Sequence, residues 1–215
     1  MTAVWGPLGW MTLHSVACAY PEIPTESEKQ LLANWLDMFR DTITCPSCKG
    51  HFTELLGRYR AQFPTMLRSR QDFAMFTFRA HNAVNKRLRK PLYNTLAECM
   101  ETLRNNVKHR KASDYRISYI NHIMRYWKTM QDVSGIVAGK KIAEMKKIEI
   151  EYFSSRDTNF EVELHPDIVV LPRDALEEGQ TELQRNPAIP RMSTSNVPRG
   201  AAGFRITAGG LRLRM

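Results

Sequence analysis

Cys45-Pro46-Ser47-Cys48 places two thiols three residues apart, with a proline of the kind that opens a helix between them. Thiols so spaced can close a disulfide, and the free N–H groups and dipole of a helix start stabilise a thiolate. The chemistry suggested is thiol–disulfide exchange. Two other readings stay open. The pair could be half of a zinc site, but zinc takes four ligands and there is no second CxxC, so Cys18, Cys99 and His51 would have to complete it from scattered positions. Alternatively, both thiols could be buried and inert, which a helix-start position disfavours. A second group is His81-Asn82-Ala83-Val84-Asn85-Lys86-Arg87-Leu88-Arg89-Lys90-Pro91. On a helix His81 and Asn85 share a face one turn apart, where they can offer hydrogen bonds to a planar ligand. Arg87 or Lys90 could meet a phosphate. By itself an exposed polar stripe is the simpler account. A third group, Trp5-Gly6-Pro7-Leu8-Gly9-Trp10-Met11-Thr12-Leu13-His14, sets Trp10 and His14 one turn apart, a spacing more common in cores than in ligand platforms.

These groups must be positioned by helices. Apolar residues from Trp5 to Ala17 run at helical spacing until Pro21 and Pro24 stop them. Thr25-x-x-Glu28 has the form of a capping box before the apolar face Leu31, Leu32, Trp35, Leu36 and Phe39. A third helix should open at Cys45-Pro46 and bury Phe52, Leu55, Leu56 and Tyr59. Ser69, with Asp72 three residues on, should cap a fourth that Pro91 ends. A short fifth helix follows Asn94 through Leu96, Met100 and Leu103. Nothing alternates with period two, so the fold class is all-α, a small helical bundle. Beyond residue 110, Ser113-Asp114 should cap Tyr115 to Met130, with Tyr119, Ile120, Ile123, Tyr126 and Trp127 on the apolar side. Gly135 and Gly139 should interrupt it before a helix resumes from Lys140 to Phe153. The organisation expected is a helical-bundle domain over 1–110 that carries the three groups, a helical extension over 111–165, and a proline- and glycine-bearing flexible tail over 166–215.

Composition narrows the function classes. The chain has 215 residues, is 43% hydrophobic, and carries 31 Lys and Arg against 22 Asp and Glu, for a net charge of +9. That is enough apolar content for a core, and four cysteines are too few for a disulfide-stapled scaffold. No apolar run is long enough to cross a bilayer, and no signal-peptide pattern follows Met1. The basic excess gathers in Arg79, Lys86, Arg87, Arg89 and Lys90 without forming a like-charge block, so a solvated helix surface accounts for it better than nucleic-acid binding.

Together and in this order, the groups resemble the Erv/Alr family of FAD-linked sulfhydryl oxidases. The resemblance covers roughly residues 4–100: GPxxWxxLH, the Tyr20-Pro21 turn, CxxCxxHF at 45–52, Ser69-Arg70, and HNxVNxxLxKP at 81–91. It implies a four-helix bundle with a short fifth helix, holding FAD at one end. By that similarity Trp10, His14, His81, Asn82, Asn85 and Lys90 would contact the cofactor, Cys48 would lie against the flavin ring, and Cys45 would meet substrate. It also implies client protein dithiols and dioxygen as substrates, hydrogen peroxide as a product, no metal, and a homodimer through the first two helices.

Several features depart from the family pattern. Phe78 and Thr95 stand where many members have a structural disulfide, so packing must replace it, and Thr44 stands where an aromatic often precedes CxxC. No second redox pair marks a shuttle arm. Cys18 and Cys99 fall on apolar faces and are expected as buried free thiols, with a mutual disulfide the second option. The compact catalytic half and missing shuttle look like the oxidases of large DNA viruses, which would place the protein in a host cytoplasm or a virion. The competing function is a retired helical scaffold acting in assembly or virion interaction through its extension.

Overall fold

The computed structural model describes residues 2–164, with side chains from Trp5 onward. Among these there are seven α-helices and no strand: α1 (Thr2–Ala19), α2 (Glu26–Thr42), α3 (Pro46–Gln62), α4 (Arg70–Arg87), α5 (Leu96–Asn106), α6 (Ala112–Lys128) and α7 (Val133–Ile148). The expected flexibility of the tail concerns residues outside those described.

Local sequence explains most of the boundaries. Thr25 and Glu28 form the reciprocal capping box of α2, and Pro46 sits in the first turn of α3 behind Cys45 as N-cap. Ser69 caps α4 by accepting from the Asp72 N–H at 3.1 Å. α4 ends before Pro91, at a turn in which Lys90 N–H donates to Asn85 O and Arg89 N–H donates to Lys86 O. That is a Schellman closure with Arg89 at φ 54°, a left-handed position usually given to glycine. It fixes the direction in which Lys90 leaves the helix.

Two boundaries differ from the sequence expectation. Ser113 and Asp114 lie inside the first turn of α6, which begins at Ala112 with no side-chain cap. There Asp114 complements the helix dipole instead. Gly135 and Gly139 do not interrupt a helix either; α7 runs through both, and the break falls at 129–132, where Asp132 caps α7 by accepting from Gly135 N–H at 2.9 Å. Gly135 is required because a Cβ there would run into the Met130 carbonyl. Past Ile148 the chain widens into a π-helical turn, Glu149–Phe153, rather than continuing as α.

α1 to α4 close around one apolar core that also takes in α6 and α7. α6 lies along α1, and α7 lies along α2. Tyr119 of α6 stacks on Phe39 of α2 at 5.2 Å, and Phe153 meets Trp35 edge-on at 6.2 Å. α7 runs antiparallel to α2: Lys141 pairs with Asp41 near the end of α2, while Tyr152 and Arg156 reach Glu28 near its start. A buried ion pair, Arg116 Nε to Glu149 Oε2 at 2.8 Å, ties α6 to the π-helical turn. Apolar residues of the extension thus find their cover on the first two helices. A second, smaller cluster seals α5 against α1 and α4 through Met11, Cys18, Met75, Phe78, Cys99 and Met100. Phe78 belongs to it and Thr95 caps α5, so packing and a cap hold the helix where the resemblance would have put a disulfide. Among the described residues no helix is long and apolar enough to cross a membrane.

Candidate active site

Cys45 and Cys48 are joined as a disulfide at the start of α3. The Cys48 N–H, one of the helix donors with no backbone acceptor, points at Cys45 Sγ at 3.3 Å. The Ser47 hydroxyl lies 3.3 Å from the same sulfur on the exposed side. The two sulfurs therefore face different surroundings: Cys45 stands towards solvent, and Cys48 forms part of a cavity wall.

That cavity has a volume of about 650 Å³, within the range of cofactor sites. α1, the end of α2, the start of α3, the second half of α4 and α5 enclose it. Of the expected site residues, Trp10, Cys48, His81, Asn85 and Lys90 line it. Trp10 and His81 stack face to face, ring centroids 4.2 Å apart and nearly parallel, because α1 and α4 pack together at this level. Tyr93 closes edge-on over His81 at 5.4 Å. Phe39, Ile43 and Val84 make the floor apolar, while Arg87 and Lys90 bring positive charge, Arg87 bonded to His51 across the cavity.

His14 and Asn82 sit behind the lining. His14 is fully buried, with Nε2 3.0 Å from His81 Nδ1. Its own Nδ1 has no partner among the described residues. A buried N–H without an acceptor is costlier than a bare ring nitrogen, so the proton of that hydrogen bond belongs to His14 Nε2. His81 then carries its proton on Nε2, free to donate. Burial holds both imidazoles neutral: His14 is pushed well below the usual range by burial and by His81, and His81 is pushed down to about 4 by burial and by Lys90. Asn82 spends both ends of its amide on Tyr93, donating to its carbonyl at 2.8 Å and accepting from its N–H at 3.0 Å. Its part in the site is to hold Tyr93, and through Tyr93 the segment after Pro91.

Other motif residues also serve the frame. Arg70 Nε donates to the Tyr20 carbonyl at 2.6 Å and the Tyr20 hydroxyl donates to Leu67 O at 3.0 Å, so Tyr20-Pro21 and Ser69-Arg70 tie the end of α1 to the start of α4. Sequence reasoning missed Tyr93, and it weighed His51 only as a metal ligand. The spacing of His51 held a signal, three residues after Cys48 on one face of α3; Tyr93 had none beyond its place after Lys90-Pro91.

The lining fits a flat heteroaromatic group carrying phosphates: an aromatic wall, an amide and a ring N–H for polar edges, and cations for phosphate. His14, His81 and Cys99 lie close enough to share a metal ion. The two imidazoles are already bonded to each other, though, and burial pushes the Cys99 thiol up to about 12, so it is no thiolate ligand near neutral pH.

Comparison with known proteins meets this geometry. Residues 8–111 match the model of the Erv1 / Alr family. The chain is 35% identical over 88 residues to the FAD-linked sulfhydryl oxidase of African swine fever virus (isolate Tick/Malawi/Lil 20-1/1983), covering 41% of this chain and 71% of that protein. The chain belongs to the Erv1/Alr family. A protein of Invertebrate iridescent virus 3 is 34% identical over 88 residues, which span 41% of this chain and only 58% of the viral protein. Among solved structures, the FAD-binding domain of Erv1 from Saccharomyces cerevisiae is 33% identical and covers 44% of this chain and 87% of that domain, with a TM-score of 0.39. The Erv1/Alr match ends at the N-terminus of α6, so the disulfide and all of the cavity lining except Trp5, Gly6 and Pro7 fall inside it.

Proposed function

We propose that this protein is an FAD-dependent thiol oxidase that forms disulfides in client proteins. The observation that carries this reading is the Cys45–Cys48 disulfide with one sulfur towards solvent and the other in the wall of a cofactor-sized cavity. Side chains alone have no two-electron acceptor that oxygen can renew. FAD, when bound, supplies that acceptor, and dioxygen reoxidises it with hydrogen peroxide as the product.

The residues divide the work. A client thiolate attacks Cys45 Sγ and displaces Cys48 as a thiolate, giving a mixed disulfide. A second client thiol then attacks the client sulfur of that bond and displaces Cys45, leaving the client oxidised and the CxxC reduced by two electrons. The Cys48 N–H on Cys45 Sγ stabilises Cys45 as the departing thiolate, and Cys48 carries the electron pair on the cavity side. Trp10 and His81, stacked on each other, would form one wall against the ring system of the cofactor, with His81 Nε2–H and Asn85 on its polar edge, and Arg87 and Lys90 would meet its phosphates. His14 fixes the His81 tautomer, and Asn82 fixes Tyr93.

The homodimer implied by resemblance would use α1 and α2. Here α6 and α7 of the same chain lie on those helices, and we read this hairpin as standing in for a second subunit. Truncation after Arg110 should then expose apolar surface and cause self-association, read by sedimentation. Retention of a complete disulfide and cavity weighs against a retired scaffold. The deciding measurement is oxygen uptake by the purified protein with dithiothreitol, with hydrogen peroxide formed in equal amount. A colourless protein from FAD-replete cells, inert to dithiothreitol, would favour the scaffold.

A further inference from the structure

α7 reaches past the bundle at its catalytic end. Lys141 is level with Asp41, to whose carbonyl Lys49 also donates at 3.0 Å, one residue beyond the disulfide. Because α7 runs antiparallel to α2, its residues before Lys141 continue beyond the end of α2. Val133 lies eight residues earlier, about 12 Å further along the axis. α6 ends beside it, where the Trp127 indole N–H donates to Thr42 O at 2.9 Å, three residues before Cys45. The tip of the α6–α7 hairpin therefore stands at the same end of the molecule as the disulfide.

That tip is apolar where it faces water. Val133 is 76% exposed and Ile136 61%, with Val137 and Met130 also exposed. Ile136 follows Gly135, which lines a groove of about 220 Å³ between the two helices, walled by Trp127, Met124, Ile142 and Ala143 and left open at Gly139, where a Cβ would meet nothing within 4 Å. Lys128 and Lys146 flank the groove, and no ion pair engages either among the described residues. Trp127 belongs to both places, with its N–H on the last residue of α2 and its ring in the groove wall.

We propose that this tip and groove form a docking surface for the client polypeptide, selecting dithiols that lie beside apolar residues with acidic neighbours. This rests on the thiol-oxidase reading. The occupant follows from position and charge: a chain presenting its thiol to Cys45 passes over the hairpin tip, its apolar side chains fit the groove, and its carboxylates meet Lys128 and Lys146. The groove thus supplies client preference that the disulfide itself lacks.

The test uses the full-length, flavin-loaded protein and oxygen uptake. The probe is a synthetic Cys-x-x-Cys peptide flanked by leucines and glutamates, compared with versions bearing serines for the leucines or lysines for the glutamates. Gly139→Leu fills the open floor and raises helix propensity, so it keeps the fold. Ile136→Ser removes the exposed rim. Each should raise KM for the leucine–glutamate peptide about tenfold, the scale of one well-buried contact, and leave kcat and dithiothreitol turnover unchanged. On the parent protein that peptide should have the lowest KM of the three. Equal KM values for the three peptides, or unaltered KM in both variants, would overturn the proposal. A concentration-dependent dimer that Gly139→Leu abolishes would assign the groove to a second copy, and a lowered peptide KM on removing residues 165–215 would assign it to the tail; either also overturns it. A parent protein that fails to oxidise dithiothreitol would instead sink the thiol-oxidase reading.

Discussion

Two regions of this molecule hold two cysteines each, and they have opposite chemistry. At the start of α3, Cys45 and Cys48 are joined, partly open to solvent, and set against helix N–H groups. In the seam between α1, α4 and α5, Cys18 and Cys99 are free and completely buried. The Cys18 thiol rests 3.7 Å from Met100 Sδ, and burial pushes both seam thiols up to about 12. The residue type is the same; what differs is whether a thiolate could be solvated. The seam shows how this chain keeps cysteine inert as packing, and the α3 start shows how it keeps cysteine available for exchange.

The largest effect should come from the reactive pair. Cys45→Ser and Cys48→Ser should each abolish turnover with dithiothreitol while the protein stays yellow; ordinary turnover in either variant would erase the contrast between the two regions. Next in size, His81→Ala combined with Asn85→Ala should leave a largely flavin-free protein with a lowered melting temperature, since a ligand bound only to the native state stabilises it by mass action. Flavin absorbance per protein is the readout, and full occupancy would mean the cavity has been matched to the wrong group.

A third effect depends on pH. Above the ordinary imidazole value of 6.5 neither folded nor unfolded chain protonates His81, so stability is complete. As pH falls, the unfolded chain gains a proton that the folded one resists until about 4. Stability should therefore fall between those values by at most about 1.4 kcal/mol per pH unit for each ring so held, with His14 acting in the same direction. Urea midpoints measured across this window should decline, and a flat profile would contradict the burial of the pair. The smallest effect belongs to the seam: Cys18→Ala and Cys99→Ala should keep turnover and cost about 0.5–3 kcal/mol in denaturation experiments. Loss of turnover in a folded, flavin-loaded Cys99→Ala protein would move that thiol from packing to electron transfer.

Much of this was legible in the sequence because the relevant signals are local. Capping residues, the proline at the start of α3 and the one-turn spacing of His81 and Asn85 each act within a few residues. The misplaced break in the extension shows the limit. Glycines suggested interruption by their propensity, yet Gly135 sits in α7 because the incoming Met130 carbonyl leaves no room for a side chain, a tertiary constraint that propensity does not contain. The roles of His14 and Asn82 were hidden for a similar reason. Both stand among the motif residues, but only the packing of α1 on α4 and the return of Tyr93 set them one layer behind the cavity wall.

The cover that α6 and α7 place over α1 and α2 makes the protection of that surface an intramolecular matter. A surface sealed by another molecule opens on dilution, because association depends on concentration. One sealed by its own chain does not. Melting temperature and the proposed oxygen uptake per molecule should accordingly hold steady from concentrated stock to high dilution, and the hairpin would be what makes them independent of concentration.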